Sequence, residues 1–237
     1  MPDIKKACIT GGGTRMGKTL ALALAKRGYD ILLHYNRSKS EAEQTAVEIE
    51  KLGQECKLIQ ANFANKTDMS TMQTIVSDPT VSILINSASR FDKSDFLATE
   101  ENSLEDQFQI NFFVPFRLSQ AFAETHTEGH IITILDAMVH ANDHHEHFAY
   151  LLSKKALKDL NAMMALSLAP SIRCNAIAPS WIKLSPDEKI NPKSLKPPIP
   201  MHQYGEPEHI IKALSYLLDN SYCTGEVLYV DGGRHLV

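Results

Sequence analysis

Cysteine is scarce in this chain of 237 residues: Cys8, Cys56, Cys174 and Cys223 lie far apart, with no Cys-x-x-Cys spacing. All four sit in or beside apolar, strand-like runs, so we expect reduced, strand-packed thiols in a cytosolic protein rather than a disulfide framework. Long apolar runs are also missing. Nothing approaches the ~20 residues that a membrane-spanning helix needs. The N-terminal Met1-Pro2-Asp3-Ile4-Lys5-Lys6 enters a strand almost at once, so neither export nor membrane insertion is expected. There is no basic run: 24 Lys and Arg stand against 28 Asp and Glu, a net charge of -4, which argues against nucleic acid and favours a small-molecule partner. No internal repeat and no shift in composition divides the chain. Residues 1–237 are expected to form one domain, and 43% hydrophobic composition suffices for a sheet covered on both faces.

Short apolar runs alternate with stretches of helical period. Ala7 to Thr10, Ile31 to His34, Lys57 to Gln60, Val81 to Ile85, Ile131 to Leu135, Ile172 to Ala176 and Val227 to Val230 read as seven strands. That β-α alternation predicts an α/β fold, a single Rossmann-type doubly wound domain with a mostly parallel sheet and helices on both faces. Helix starts are marked by Ser40 with Glu43, by Ser103 with Asp106 and by Pro207 after Glu206. Gly28 after Lys26-Arg27 marks a stop. The stretch from about Trp181 to Gly205, with Pro186, Pro192, Pro197, Pro198 and Pro200, lacks periodicity and reads as a substrate lid.

Two motifs carry chemistry. The first is the turn Thr10-Gly11-Gly12-Gly13-Thr14-Arg15-Met16-Gly17 between the first strand and the first helix. Gly11, Gly13 and Gly17 let the backbone approach a pyrophosphate, while the N–H groups of Thr14, Arg15 and Met16 open the helix. The second is Tyr150-Leu151-Leu152-Ser153-Lys154, whose i and i+4 members share a helix face, so that the Lys154 ammonium is expected to favour the ionised Tyr150 phenol. Their order points to a nicotinamide-dependent reductase with Tyr150 as proton donor. An NAD site would place a carboxylate at the end of the second strand. Here His34-Tyr35-Asn36-Arg37-Ser38 occupies that place, and Arg37 with Arg15, the Asn36 amide and the Ser38 hydroxyl suits a 2'-phosphate, so NADPH is expected.

From Thr10-Gly11 through Asn111, Tyr150 and Lys154 to Asp231-Gly232-Gly233 the chain resembles the short-chain dehydrogenase/reductase superfamily, with Arg15 at the middle glycine of the turn. Arg15, the His34 to Ser38 run and Leu135-Asp136-Ala137-Met138, where most relatives carry a catalytic serine, narrow the resemblance to the pteridine reductases. Ala178-Pro179-Ser180 and Asp231-Gly232-Gly233-Arg234-His235-Leu236 further resemble dihydromonapterin reductases. The resemblance implies that Tyr150 donates the proton, that Lys154 holds the nicotinamide ribose, that Asn111 anchors a relay water and that Asp136 replaces the serine. A carboxyl group at that place suits protonation of a ring nitrogen while hydride reaches carbon. It further implies cofactor contacts from Tyr35, Asn62, Asn86, Ser87, Ala88, Pro179 and Ser180. Substrate contacts are implied for Arg15, Ser89 and Trp181, and for Phe91, whose ring would face a flat pterin. Two departures stand out: Ser87 replaces the second Asn of Asn-Asn-Ala, and Asn62 replaces an adenine-contacting Asp.

His140, His144, His145 and His147 form a polar loop at the mouth of the site rather than a metal site, since hydride transfer to an imine needs no metal. Met201 and Tyr204 are further lid candidates. Apolar faces around Asn111 and Tyr150, with Phe112, Phe113, Phe116, Leu118, Phe122, Leu157, Leu160, Met163, Met164 and Leu166, imply by the resemblance a homotetramer, in which Arg234 and His235 approach a neighbouring subunit. The expected activity is reduction of dihydropterins, dihydromonapterin or dihydrobiopterin, with dihydrofolate a further substrate, in the cytoplasm. The competing readings are a carbonyl reductase, such as a 3-oxoacyl thioester reductase, and a silent NADPH-binding sensor.

Overall fold

Each of the seven apolar runs is a strand. The computed structural model describes residues 5–140, 146–184 and 199–237. Along the chain β1 (Lys6–Ile9) leads into α1 (Arg15–Lys26), β2 (Asp30–Tyr35) into α2 (Lys39–Glu50), and β3 (Cys56–Gln60) into α3 (Lys66–Val76). Strand β4 (Val81–Asn86) is followed by α4 (Glu101–Phe108), a π-helical segment (Gln109–Phe113) and α5 (Val114–Thr125). Then come β5 (Gly129–Ile134), α6 (Phe148–Leu168), β6 (Ile172–Pro179), α7 (Pro207–Asp219) and β7 (Val227–Val230). The strands lie in the order β3-β2-β1-β4-β5-β6-β7, and every adjacent pair is parallel.

A parallel sheet buries both faces, and alternate residues of one strand serve different cores. Ile9, Ile83, Ile85 and Ile132 point to one side, with Leu20 and Leu24 of α1, Ile49 of α2 and Leu214 of α7. Cys8, Leu84 and Ile131 point to the other, with Met69 and Met72 of α3 and Leu118 and Phe122 of α5. All four cysteines are free, and burial pushes the thiols of Cys8, Cys56 and Cys174 up to about 12. Among the described residues no helix is long and apolar enough to cross a membrane.

Helix boundaries repay comparison. Gly28 stops α1 at φ 88°, and Glu206 and His209 close a capping box around Pro207, as the sequence predicts. Ser40 and Ser103 do not cap: α2 begins at Lys39 after Ser38, and α4 begins at Glu101 after Glu100. In both, the helix starts earlier than the Ser-x-x-acid signature implies. The ten apolar residues expected on one interface also divide. Leu118, Phe122 and Leu157 are core, whereas Phe113, Phe116, Met163 and Leu166 remain exposed.

Parallel strands deliver their C-terminal ends to one edge. The order reverses between β1 and β4, and a crevice at such a switch point is where open α/β sheets bind ligands.

Candidate active site

The turn after β1 is shaped by close approach. Gly11 sits at φ 65°, and a Cβ there would lie 2.9 Å from Ala88 Cα; a Cβ on Gly17 would collide with the Gly11 carbonyl oxygen. Thr10 Oγ1 accepts the N–H groups of Ser87 and Ala88, both at 3.0 Å, and so binds the β4 loop to the turn. Thr14 precedes α1 in an extended conformation and makes no side-chain cap, and no acidic residue lies in the first turn of α1. An anion there would meet uncapped amides and the positive end of the helix dipole. Arg15 holds φ 49°, a left-handed conformation that is costly for a residue with a side chain and easy for glycine.

Of the remaining cofactor candidates, Asn36 and Arg37 are exposed beyond β2, and the Ser38 hydroxyl is not used to cap α2. Several others turn inward. Tyr35 is buried in the core beside α1 and α2, and Met16 packs partly buried against it. Asn86 is buried and donates to Ser119 Oγ at 3.1 Å. The side-chain oxygen of Asn62 accepts the Ala64 N–H at 3.1 Å, closing a local turn. Gly13 is buried against Ala42, and Pro179 ends β6, with the Ser180 N–H donating to the Val230 carbonyl.

At the chemical end, Tyr150 is buried and its hydroxyl donates to Asp136 Oδ2 at 3.0 Å. Asp136 Oδ1 accepts the Met138 N–H at 2.9 Å, at the short 3-10 turn Ala137–His140. One carboxylate therefore serves both the turn and the phenol. Lys154 Nζ donates to the Ile134 carbonyl at 2.8 Å and stands 5.9 Å from the Tyr150 ring centre. Burial lowers Lys154 to about 8 although Asp136 opposes this. The same burial, reinforced by the charge and hydrogen bond of Asp136, pushes Tyr150 well above its ordinary value. The expectation that Lys154 favours an ionised phenol is thereby corrected: desolvation and the Asp136 carboxylate raise the Tyr150 pKa.

Asn111 is fixed by the π-helical segment and spends its whole side chain on protein partners. Its Nδ2 stands 3.0 Å from each of Arg90 O, Gln107 Oε1 and Ser153 Oγ, which share its two N–H groups, and its Oδ1 accepts from Ser89 Oγ and Arg90 N. A relay water would have to rest on the main chain. The network holds Ser89 and Arg90 against α6, and Phe91 follows with one face stacked on His147 at 4.1 Å and its edge toward Tyr150 at 4.6 Å. Phe91 stays 59% exposed, leaving room for a flat ligand on its open side.

The C-terminal segment enters the same site. Gly232 and Gly233, at φ 65° and 87°, turn the chain so that Arg234 is only 8% exposed. Its guanidinium bonds Ser180 Oγ at 3.4 Å and stands 5.9 Å over the Trp181 ring. Burial lowers Arg234, while the charges of Asp136 and Asp231 raise it. Arg234 thus packs against Ser180 and Trp181 of its own chain. His235 stacks on Tyr229 at 4.2 Å and bonds Asp231 at 2.7 Å. His147 is held by Phe91 and the Asp92 carbonyl, while His144, His145 and residues 185–198 of the lid lie outside the described residues.

A glycine turn opening an uncapped helix, joined on one sheet edge to a buried Tyr-Lys pair, defines a nicotinamide-nucleotide oxidoreductase. Residues 13–235 match the family described as Enoyl-(Acyl carrier protein) reductase, and the chain belongs to the short-chain dehydrogenase/reductase superfamily. It is 32% identical to the Bacillus subtilis oxidoreductase YhdF over 98% of this chain and 84% of that protein. It is 30% identical to the dihydromonapterin reductase of Enterobacter sp. (strain 638), over 96% and 95%. To the 3-oxoacyl-[acyl-carrier-protein] reductase FabG of Staphylococcus epidermidis it is 29% identical over 98% and 99%. Among solved structures it is similar to acetoin dehydrogenase YohF of Salmonella typhimurium, with TM-score 0.89 and 28% identity over 99% and 97% of the two chains. It is likewise similar to FolM alternative dihydrofolate reductase 1 of Brucella suis in complex with NADP, with TM-score 0.87 and 27% identity over 100% and 97%.

Proposed function

We propose that residues 1–237 form one NADPH-binding domain that reduces dihydropterins to tetrahydropterins, with dihydromonapterin or dihydrobiopterin as substrate and dihydrofolate as a further one. The observation that carries this reading is the hydrogen bond from Tyr150 to Asp136, where a carboxylate stands in the place of a carbonyl-binding hydroxyl. When bound, the cofactor supplies hydride. Gly11, Gly17 and the uncapped start of α1 suit its pyrophosphate, and Arg15, Asn36, Arg37 and Ser38 suit its 2'-phosphate. The strained backbone of Arg15 supports this, since a left-handed non-glycine residue costs stability unless its side chain repays it. The NADP held by the FolM structure supports it too.

Tyr150, kept protonated by burial and by Asp136, passes its proton to the ring nitrogen of a C=N bond as hydride reaches the carbon. Asp136 orients the phenol, and Lys154 positions the ribose and neutralises the developing phenolate. Phe91 stacks on one face of the pterin, with Ser89, Trp181 and Arg15 at its rim. The exposed Phe113, Phe116, Met163 and Leu166 support a homotetramer built on α6, α5 and the π-helical segment before it, which a light-scattering mass of a monomer would overturn.

The second reading is a carbonyl reductase, favoured by equal likeness to FabG and the acetoin dehydrogenase. Oxidation of NADPH by dihydromonapterin, run beside an acetoacetyl thioester and with Tyr150→Phe as control, separates the two. Turnover on the pterin alone, lost in the variant, is the expected result. Turnover on the thioester alone overturns the pterin reading, and cofactor binding without turnover on either points to a sensor.

A further inference from the structure

His34 is nearly fully buried at the end of β2, yet both of its ring nitrogens are engaged. Nδ1 accepts the Gly11 N–H at 3.0 Å, and Nε2 lies 3.0 Å from the Ala61 carbonyl oxygen. Nδ1 must be bare to accept from an amide, and Nε2 must carry the proton to donate to a carbonyl, so one neutral tautomer satisfies both partners. The ring also stacks on Phe63 at 4.2 Å, and the His34 main-chain oxygen accepts the Gly12 N–H at 2.9 Å. One residue thus grips two consecutive amides of the glycine turn. Through Ala61 it ties them to the β3 loop that carries Asn62.

We propose that His34 is a positioning residue for the dinucleotide site, a buried strut that holds the glycine turn and the β3 loop at the separation the bound cofactor requires. The proposal rests on the reading of the turn as an NADPH site. The Gly11 amide is consumed inward, so it is not offered to the pyrophosphate; its bond to His34 sets where the neighbouring turn atoms stand. Burial lowers His34 to about 4, which keeps the ring in the neutral state that this geometry needs.

The test uses the whole chain and calorimetric titration with NADPH, so that it does not depend on the pterin. Removing the acceptor strands a buried amide, and His34→Leu is expected to weaken NADPH binding about tenfold or more. In His34→Asn the side-chain oxygen takes the place of Nδ1, and it should recover most of the affinity. A Leu variant that binds as the parent does, or an Asn variant no better than Leu, overturns the proposal. If the parent itself binds no dinucleotide, the reading of the turn fails and this inference with it. Should the Leu variant not fold, nitrogen-detected spectra of the parent decide, with the His34 resonance assigned by its absence in the Asn variant: a protonated Nδ1 overturns the proposal, and a bare Nδ1 supports it.

Discussion

Lys154 shows a single residue working against the stability of its own fold. Its folded value of about 8 lies below the ordinary lysine value of 10.5, so below about pH 8 the ammonium is charged in both states and is penalised only in the folded one. Relief of that penalty, offset by the lost bond to Ile134, predicts that Lys154→Met is more stable at pH 7 by about 1–2 kcal/mol while losing activity. A lowered melting temperature in that variant would count against the burial argument. The arginines make the complementary case. Removing Arg15 and Arg37 together should weaken NADPH about 100-fold or more and leave NADH nearly unchanged, and an unaltered ratio of the two Michaelis constants would refute their role at the 2'-phosphate. Side-chain identity made the Tyr150–Lys154 pair legible from its spacing, and the family resemblance added Asp136. The direction of the Tyr150 shift was not legible, because it depends on how much water the fold removes and on a carboxylate 14 positions away.

At the level of elements, short apolar runs set between stretches of helical period located all seven strands to within a few residues, since a doubly covered parallel sheet demands uninterrupted apolar runs. Helix starts were less readable. Ser40 and Ser103 carry the composition of a cap, but a cap is a backbone conformation, and the chain enters α2 and α4 earlier. The π-helical turn at Gln109–Phe113 has no sequence signature at all, yet it aims Asn111 into its network. The first β-α turn is tighter than its motif suggests. Because a Cβ on Gly17 would meet the Gly11 carbonyl, Gly17→Ala should distort the turn at a cost of about 1–3 kcal/mol. NADPH binding should fall with it, and an alanine variant of parental affinity would show that the turn adapts.

For the molecule as a whole, two buried histidines contribute to the response to acid. His34 and His130 are lowered by burial to about 4 and about 3, so both are neutral in the fold at pH values where the unfolded chain would protonate them. Below the ordinary value of 6.5 the unfolded state binds more protons, and stability is lost as pH falls from there toward 4. The expected slope is about 1.4 kcal/mol per pH unit for each histidine. Urea midpoints measured from pH 7 to pH 4.5 check it, and His34→Asn should flatten the slope. Neither histidine was legible as a buried group, since their burial arises from pairing between strands distant in sequence.

Arg234 leans over Trp181, and Trp181 is the one tryptophan in the chain. The tryptophan emission of this protein, excited where tyrosine does not absorb, is therefore a single-site signal from the indole under Arg234. A rearrangement of the C-terminal turn that moves Arg234 off the ring should change the colour and lifetime of that one indole, so the protein comes with its own optical reporter and needs no dye.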